Sequence, residues 1–144
     1  MENNDTIHLL RECDAGTKMG ISTIDEVLDK TQSVTLKSLL TESREHHEKL
    51  GNEIHELLNR YQIDEKDPSP MAKGMSWFKT NVKIGMDESD AVIADLITDG
   101  CNMGIKSIYK YLNQYPEANE TAKGICYRLA SIEEELSKEL RKYL

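Results

Sequence analysis

Long apolar runs are missing from this 144-residue chain. No stretch approaches the roughly 20 residues of a membrane-spanning helix, and the polar start MENNDT has no signal-peptide core. A cytoplasmic location with no membrane partner is the expectation. Aromatic residues are scarce at 6%, with one Trp and one Phe, so the core has to be mainly aliphatic. Cysteine is limited to Cys13, Cys101 and Cys126, an odd and widely spaced set without a CxxC pair. That spacing points to neither a disulfide framework nor a zinc ribbon, and buried free thiols are expected. Positive charge is also short: 18 Lys and Arg against 26 Asp and Glu leave a net charge of −8. Such a balance would repel nucleic acid and anionic lipid alike. There is no Gly-rich phosphate loop, no nucleophile–base arrangement and no nucleic-acid motif.

What the chain does contain is a phrase written twice. Residues 16–24 read GTKMGISTI and residues 100–108 read GCNMGIKSI, identical at five of nine positions. Each copy falls midway along the first helix of a helical hairpin. Asp5 is the expected cap of a first helix reaching about Lys30. Ser33 or Thr35 caps a second that runs to about Tyr61. A third helix starts near Asp87–Ser89 and stops before YPEAN, where Pro116 ends it. The fourth runs from about Asn119 to the C-terminus. HEKLGNEI (47–54) in the second helix lies over EEELSKEL (133–140) in the fourth, so the two hairpins read as duplicated halves of one domain, 1–144.

The connection at 62–86 is too long for a plain loop in a compact domain. Ser69-Pro70 reads as a cap followed by a first helical residue, and Met71, Met75, Phe78 and Val82 follow at helical spacing. A short amphipathic crossover helix is expected there, with Trp77 used in packing. Its Met and Trp flank suggests self-association as a homodimer. The pairs Gly16/Gly20 and Gly100/Gly104 each cost helix stability, about 1 kcal/mol per glycine relative to alanine. Their small-xxx-small spacing leads to the expectation that two helix backbones approach closely at both places.

Polar residues interrupt the apolar stripes at matching depth. On the second helix the stripe is Leu36, Leu40, Ser43, His47, Leu50, Ile54 and Leu57. On the fourth, Glu133 breaks a stripe of Ala122, Cys126, Leu129, Leu136, Leu140 and Tyr143. Thr17 and His47 lie about 15 residues from the first turn, and Cys101 and Glu133 about 16 from the second, which is nearly one level. A central polar layer of Thr17, His47, Cys101 and Glu133 is therefore expected. The adjacent pair in EHHE splits on a helix, so His46 stays near the surface while His47 buries. His55 falls on the flank of the stripe, and Met19 and Met103 lie off the seam.

Two hairpins, a long crossover and a central polar layer resemble the ferritin-like superfamily. The segment Met75–Tyr111 is similar to a bacterial ferritin-like family of unknown function. The resemblance implies an all-α ferritin-like four-helix bundle. In di-iron members, two carboxylates and two Glu-x-x-His pairs hold the metals. Here the carboxylate slots fall on Thr17 and Cys101, Arg44 stands three residues before His47, and Ala130 three before Glu133. One histidine and one carboxylate cannot hold two irons, so no oxidase activity is expected. The main expectation is a non-enzymatic binding or interaction module with a degenerate di-iron site and no cofactor. The alternative is a single divalent metal, zinc rather than copper, held by His47, Cys101 and Glu133.

Overall fold

A computed structural model describes residues 3–63 and 89–144. Among them are four α-helices and no strand: α1 (Asn4–Leu28), α2 (Val34–Arg60), α3 (Asp90–Gln114) and α4 (Glu120–Leu140). A single 3₁₀ turn (Arg141–Tyr143) follows α4. The expected crossover helix, with Met71, Met75, Trp77, Phe78 and Val82, lies outside the described residues. So does the Met and Trp flank from which a homodimer was expected. No described helix is long and apolar enough to cross a membrane.

Short polar side chains start every α-helix by accepting one of the N–H groups that have no partner within the first turn. Ser33 accepts from Leu36 N–H on α2, Ser89 from Val92 N–H on α3, and Asn119 from Ala122 N–H on α4. On α1 the cap is Asn3, accepting from Thr6 N–H at 2.8 Å, rather than Asp5. Asp5 is instead engaged across the bundle, where its carboxylate accepts from the Glu117 N–H at 2.9 Å. Thr35, the other expected start of α2, accepts from the Tyr143 hydroxyl at 2.7 Å.

These end contacts set the helix directions. The start of α1 is tied to the α3–α4 turn, where Asn3 Nδ2 donates to the Glu117 carbonyl (2.9 Å) and Asn119 N–H donates to Thr6 Oγ1 (2.8 Å). At the opposite end, the N–H groups of Gln32 and Ser33 both donate to Asp90 at the start of α3, each at 2.9 Å. Consequently α1 and α4 run one way, and α2 and α3 the other. α2 finishes at the first end, and α3 begins at the second. α1 packs against α2, α3 and α4, whereas α2 and α3 share no extended contact.

The aliphatic core is in two parts. Toward the first end, Leu9, Leu10, Leu50, Ile54, Leu58 and Ile125 pack together, joined by Cys13 and Cys126. Toward the second, Ile24, Leu36, Leu40, Ile97, Leu136 and Leu140 form another cluster. Each buried aliphatic side chain contributes about 1.5–3 kcal/mol by leaving water. What separates the two clusters is polar.

Candidate functional site

The α2 stripe of Leu36, Leu40, Ser43, His47, Leu50 and Ile54 is buried throughout, so helical periodicity alone carries an imidazole into the middle of the bundle. His47 is 1% exposed. Its Nδ1 donates to the Ser43 carbonyl one turn back, at 2.7 Å, and its Nε2 pairs with Glu133 Oε1 on α4. Cys101 of α3 is buried close to the same carboxylate, whose charge acts on its thiol. Three of the four residues expected in the central layer thus gather at Glu133. Thr17 stands apart. It is buried, but its hydroxyl donates to the Asp14 carbonyl of its own helix at 2.8 Å. It packs on Gly51 of α2, where an added Cβ would lie 3.2 Å from Thr17 Oγ1.

On α1 the residue that faces the histidine is Gly20. A Cβ there would fall 2.6 Å from His47 Cδ2 and 2.7 Å from Nε2. A Cβ on Gly16 would meet Leu129 Cδ2 at 3.2 Å, and one on Gly104 would meet Glu133 at 3.8 Å. The expected close approach of backbones is therefore not the reason for the glycines. Where they are crowded, side chains crowd them, above all the buried imidazole.

Electrostatics define what the pair can do. Burial pulls the His47 pKa down, but the bond to Glu133, its negative charge and the Ser43 carbonyl outweigh burial and leave it raised. Both ring nitrogens face acceptor oxygens, which suits the doubly protonated ring beside an ionised carboxylate. Burial, and then the Glu133 charge, push the Cys101 thiol far above its usual range and keep it protonated. Neither group is a free nucleophile or base. His47 has both nitrogens occupied, and Cys101 rests as a thiol.

A cavity of about 260 Å³ lies between α1 and α3 and has this pair in its wall. Gly16, Met19, Gly20 and Ile24 line it from α1, and Gly100, Cys101, Met103, Gly104 and Ile108 from α3. The two copies of the repeated phrase therefore face each other across it, and Met19 and Met103, set off the seam by sequence, are part of its wall. The lining on α1 runs from Glu12 to Ile24, about 18 Å at 1.5 Å per residue. At the Glu12 end, Tyr111 lines the wall close to the Glu12 carboxylate. Burial, then Glu12, pushes the tyrosine up to about 12. Cys13 and Cys126 close the wall beside it, their sulfurs 2.9 Å apart.

Other residues singled out from the sequence sit away from the site. His46 is exposed, 3.7 Å from Glu42. His55 contacts the buried Asp14 at 2.9 Å. Arg44 is on the surface and bonded to Asp25 of α1 and Glu48. Among the described residues, no three His, Cys, Asp or Glu side chains are arranged to hold a metal ion. His47 and Glu133 form a hydrogen-bonded pair, with Cys101 buried beside it. Compared with family models, curated proteins and solved structures, the chain matches none.

Proposed function

We propose that the chain is a non-enzymatic, ferritin-like binding protein, built from two duplicated hairpins. Its ligand is an elongated, mostly apolar small molecule held between α1 and α3. One hydrogen-bond-donating group of that molecule would sit at Glu133. The observation that carries this reading is the cavity itself: about 260 Å³, walled largely by methionine, isoleucine and glycine, with the His47–Glu133 pair midway and Glu12 at one end. A mainly apolar cavity with a few convergent polar groups is the usual form of a small-molecule site. Glu133 Oε1 is taken by His47, while Oε2 lies toward Gly104 on the cavity side. An apolar chain bearing a hydroxyl therefore matches both the wall and the acceptor midway along it.

A thermal-melt series with octanol, decanol and dodecanol tests the reading. Each added methylene is worth about 0.8 kcal/mol on leaving water, so affinity should rise roughly fourfold per carbon until the cavity is full. At about 100 times the dissociation constant the gain in stability is about 2.7 kcal/mol. Gly100→Leu is the control, because Gly100 lines the cavity, a Cβ there meets nothing within 4 Å, and the longer side chain is expected to occupy part of the space. The chain-length dependence should vanish in that variant. No rise in the wild-type chain, or an equal rise in Gly100→Leu, would refute the site.

A further inference from the structure

The buried thiols of Cys13 and Cys126 play no part in the binding reading, yet their geometry is unusual. They come from different helices, α1 and α4, and are separated by 113 residues of chain. Their sulfurs stand 2.9 Å apart, closer than non-bonded carbon atoms settle (about 3.5 Å) although sulfur is the larger atom. Both line the cavity, and both are free thiols. Cysteine packs as a small hydrophobe almost anywhere in a core, so burial alone would mean nothing. Two sulfurs aimed at each other across a helix interface, on the wall of a cavity, are a different matter.

We propose that Cys13 and Cys126 are an oxidation site, a dithiol that a small hydroperoxide entering the cavity converts into a disulfide joining α1 to α4. Cys13, 3% exposed against 0% for Cys126, is the sulfur that reacts first. Its sulfur attacks one peroxide oxygen. A sulfur–oxygen bond forms as the oxygen–oxygen bond breaks, and the thiol proton leaves with the departing oxygen as water or an alcohol. The Cys126 sulfur then attacks the Cys13 sulfenic acid. The sulfur–sulfur bond forms, the sulfur–oxygen bond breaks, and the hydroxyl departs with the Cys126 proton as a second water. The two thiols give up two electrons, and the hydroperoxide takes them.

The two steps differ in speed. The hydrogen bond to Cys126, burial, and the charges of Cys126, Glu12 and Asp14 hold Cys13 in its protonated form, so the first attack is slow. Closure is fast because the second sulfur is already in place. A sulfenic acid therefore does not accumulate.

The test is to treat the reduced full-length chain with hydrogen peroxide, unfold it, alkylate it and weigh it. The expected result is one alkylated thiol instead of three, an unalkylated mass lower by two hydrogens, and a peptide cross-link between Cys13 and Cys126. Cys101→Ser should keep that cross-link. The oxidised chain should melt higher by on the order of 10 °C, since the bond closes a long loop, and a reductant should reverse the gain. Three alkylated thiols after peroxide that fully oxidises free dithiothreitol would overturn the proposal. So would a cross-link through Cys101, or sulfinic acid on one cysteine without any cross-link. Apart from the Cys101→Ser control these readouts use the wild-type chain, and none depends on a serine variant at Cys13 or Cys126 folding.

Discussion

The two copies of the repeated phrase share their glycines but not their surroundings. On α1, a methyl group at Gly20 would collide with the His47 ring, and one at Gly16 would press on Leu129 at 3.2 Å. On α3, Gly100 has nothing within 4 Å of a built Cβ, and Gly104 has Glu133 at ordinary van der Waals distance. Identical spacing on two helices therefore does two jobs. In the first copy the missing side chains make room for a buried imidazole. In the second they leave a cavity. A small-xxx-small pattern says that something must come close to the helix, and only the neighbours say what.

The largest expected effect is on the group that creates the difference. His47→Ala removes the ring that crowds Gly20 and leaves Glu133 buried without its partner. Losing one member of a buried pair typically costs about 3–5 kcal/mol, and the new cavity adds to it. Urea unfolding of the variant measures the loss. A cost under about 1 kcal/mol would mean that the pair is incidental to the bundle. The same ring sets a pH dependence. The folded-state pKa of His47 is raised, so its contribution is fully present below the unfolded value of about 6.5 and disappears as pH climbs through the folded value. Stability should thus fall between slightly acidic and alkaline pH, and His47→Gln should flatten that fall.

Next in size is Gly20→Ala. The imidazole is held at both nitrogens and cannot swing aside, so the added methyl should cost about 2–3 kcal/mol, against the gain of up to about 1 kcal/mol that alanine brings a helix. In the His47→Ala background the same substitution should become neutral or stabilising. The double-mutant cycle isolates that coupling. If Gly20→Ala is equally costly in both backgrounds, the backbone itself is the obstacle, and the close-packing expectation returns.

How much of this could be read beforehand depends on how local the signal is. Ser33, Ser89 and Asn119 announce their helices because a cap acts within one turn. Asn3 displaced Asp5 because Asp5 is bonded to Glu117, a contact no local rule foresees. His47 and Glu133 were legible as breaks in two apolar stripes at equal depth. Thr17 was placed in the same layer by counting, but a threonine can satisfy itself on its own helix, and it does. Gly20 could not be told from Gly104, since their local contexts match. The Cys13–Cys126 pair had a faint signal: the cysteines lie about 9 and 6 residues into helices that begin at the same end, a rise differing by only about 4.5 Å. Finding it needed the helix directions as well as the stripes.

The smallest predicted effect discriminates best between the two copies, because its sign is opposite. Gly100→Ala places a methyl group where nothing stands within 4 Å, in the interior of α3. Alanine in place of glycine lowers the entropy of the unfolded chain and favours the helix, with a gain of about 0.5–1 kcal/mol and no steric cost to offset it. Thermal unfolding should therefore shift upward by about 2–4 °C. Gly16→Ala, the matching change in the first copy, must displace Leu129 and should give little of that gain. Were the two substitutions to stabilise equally, the asymmetry between the copies would not extend to Gly16, and His47 alone would account for it.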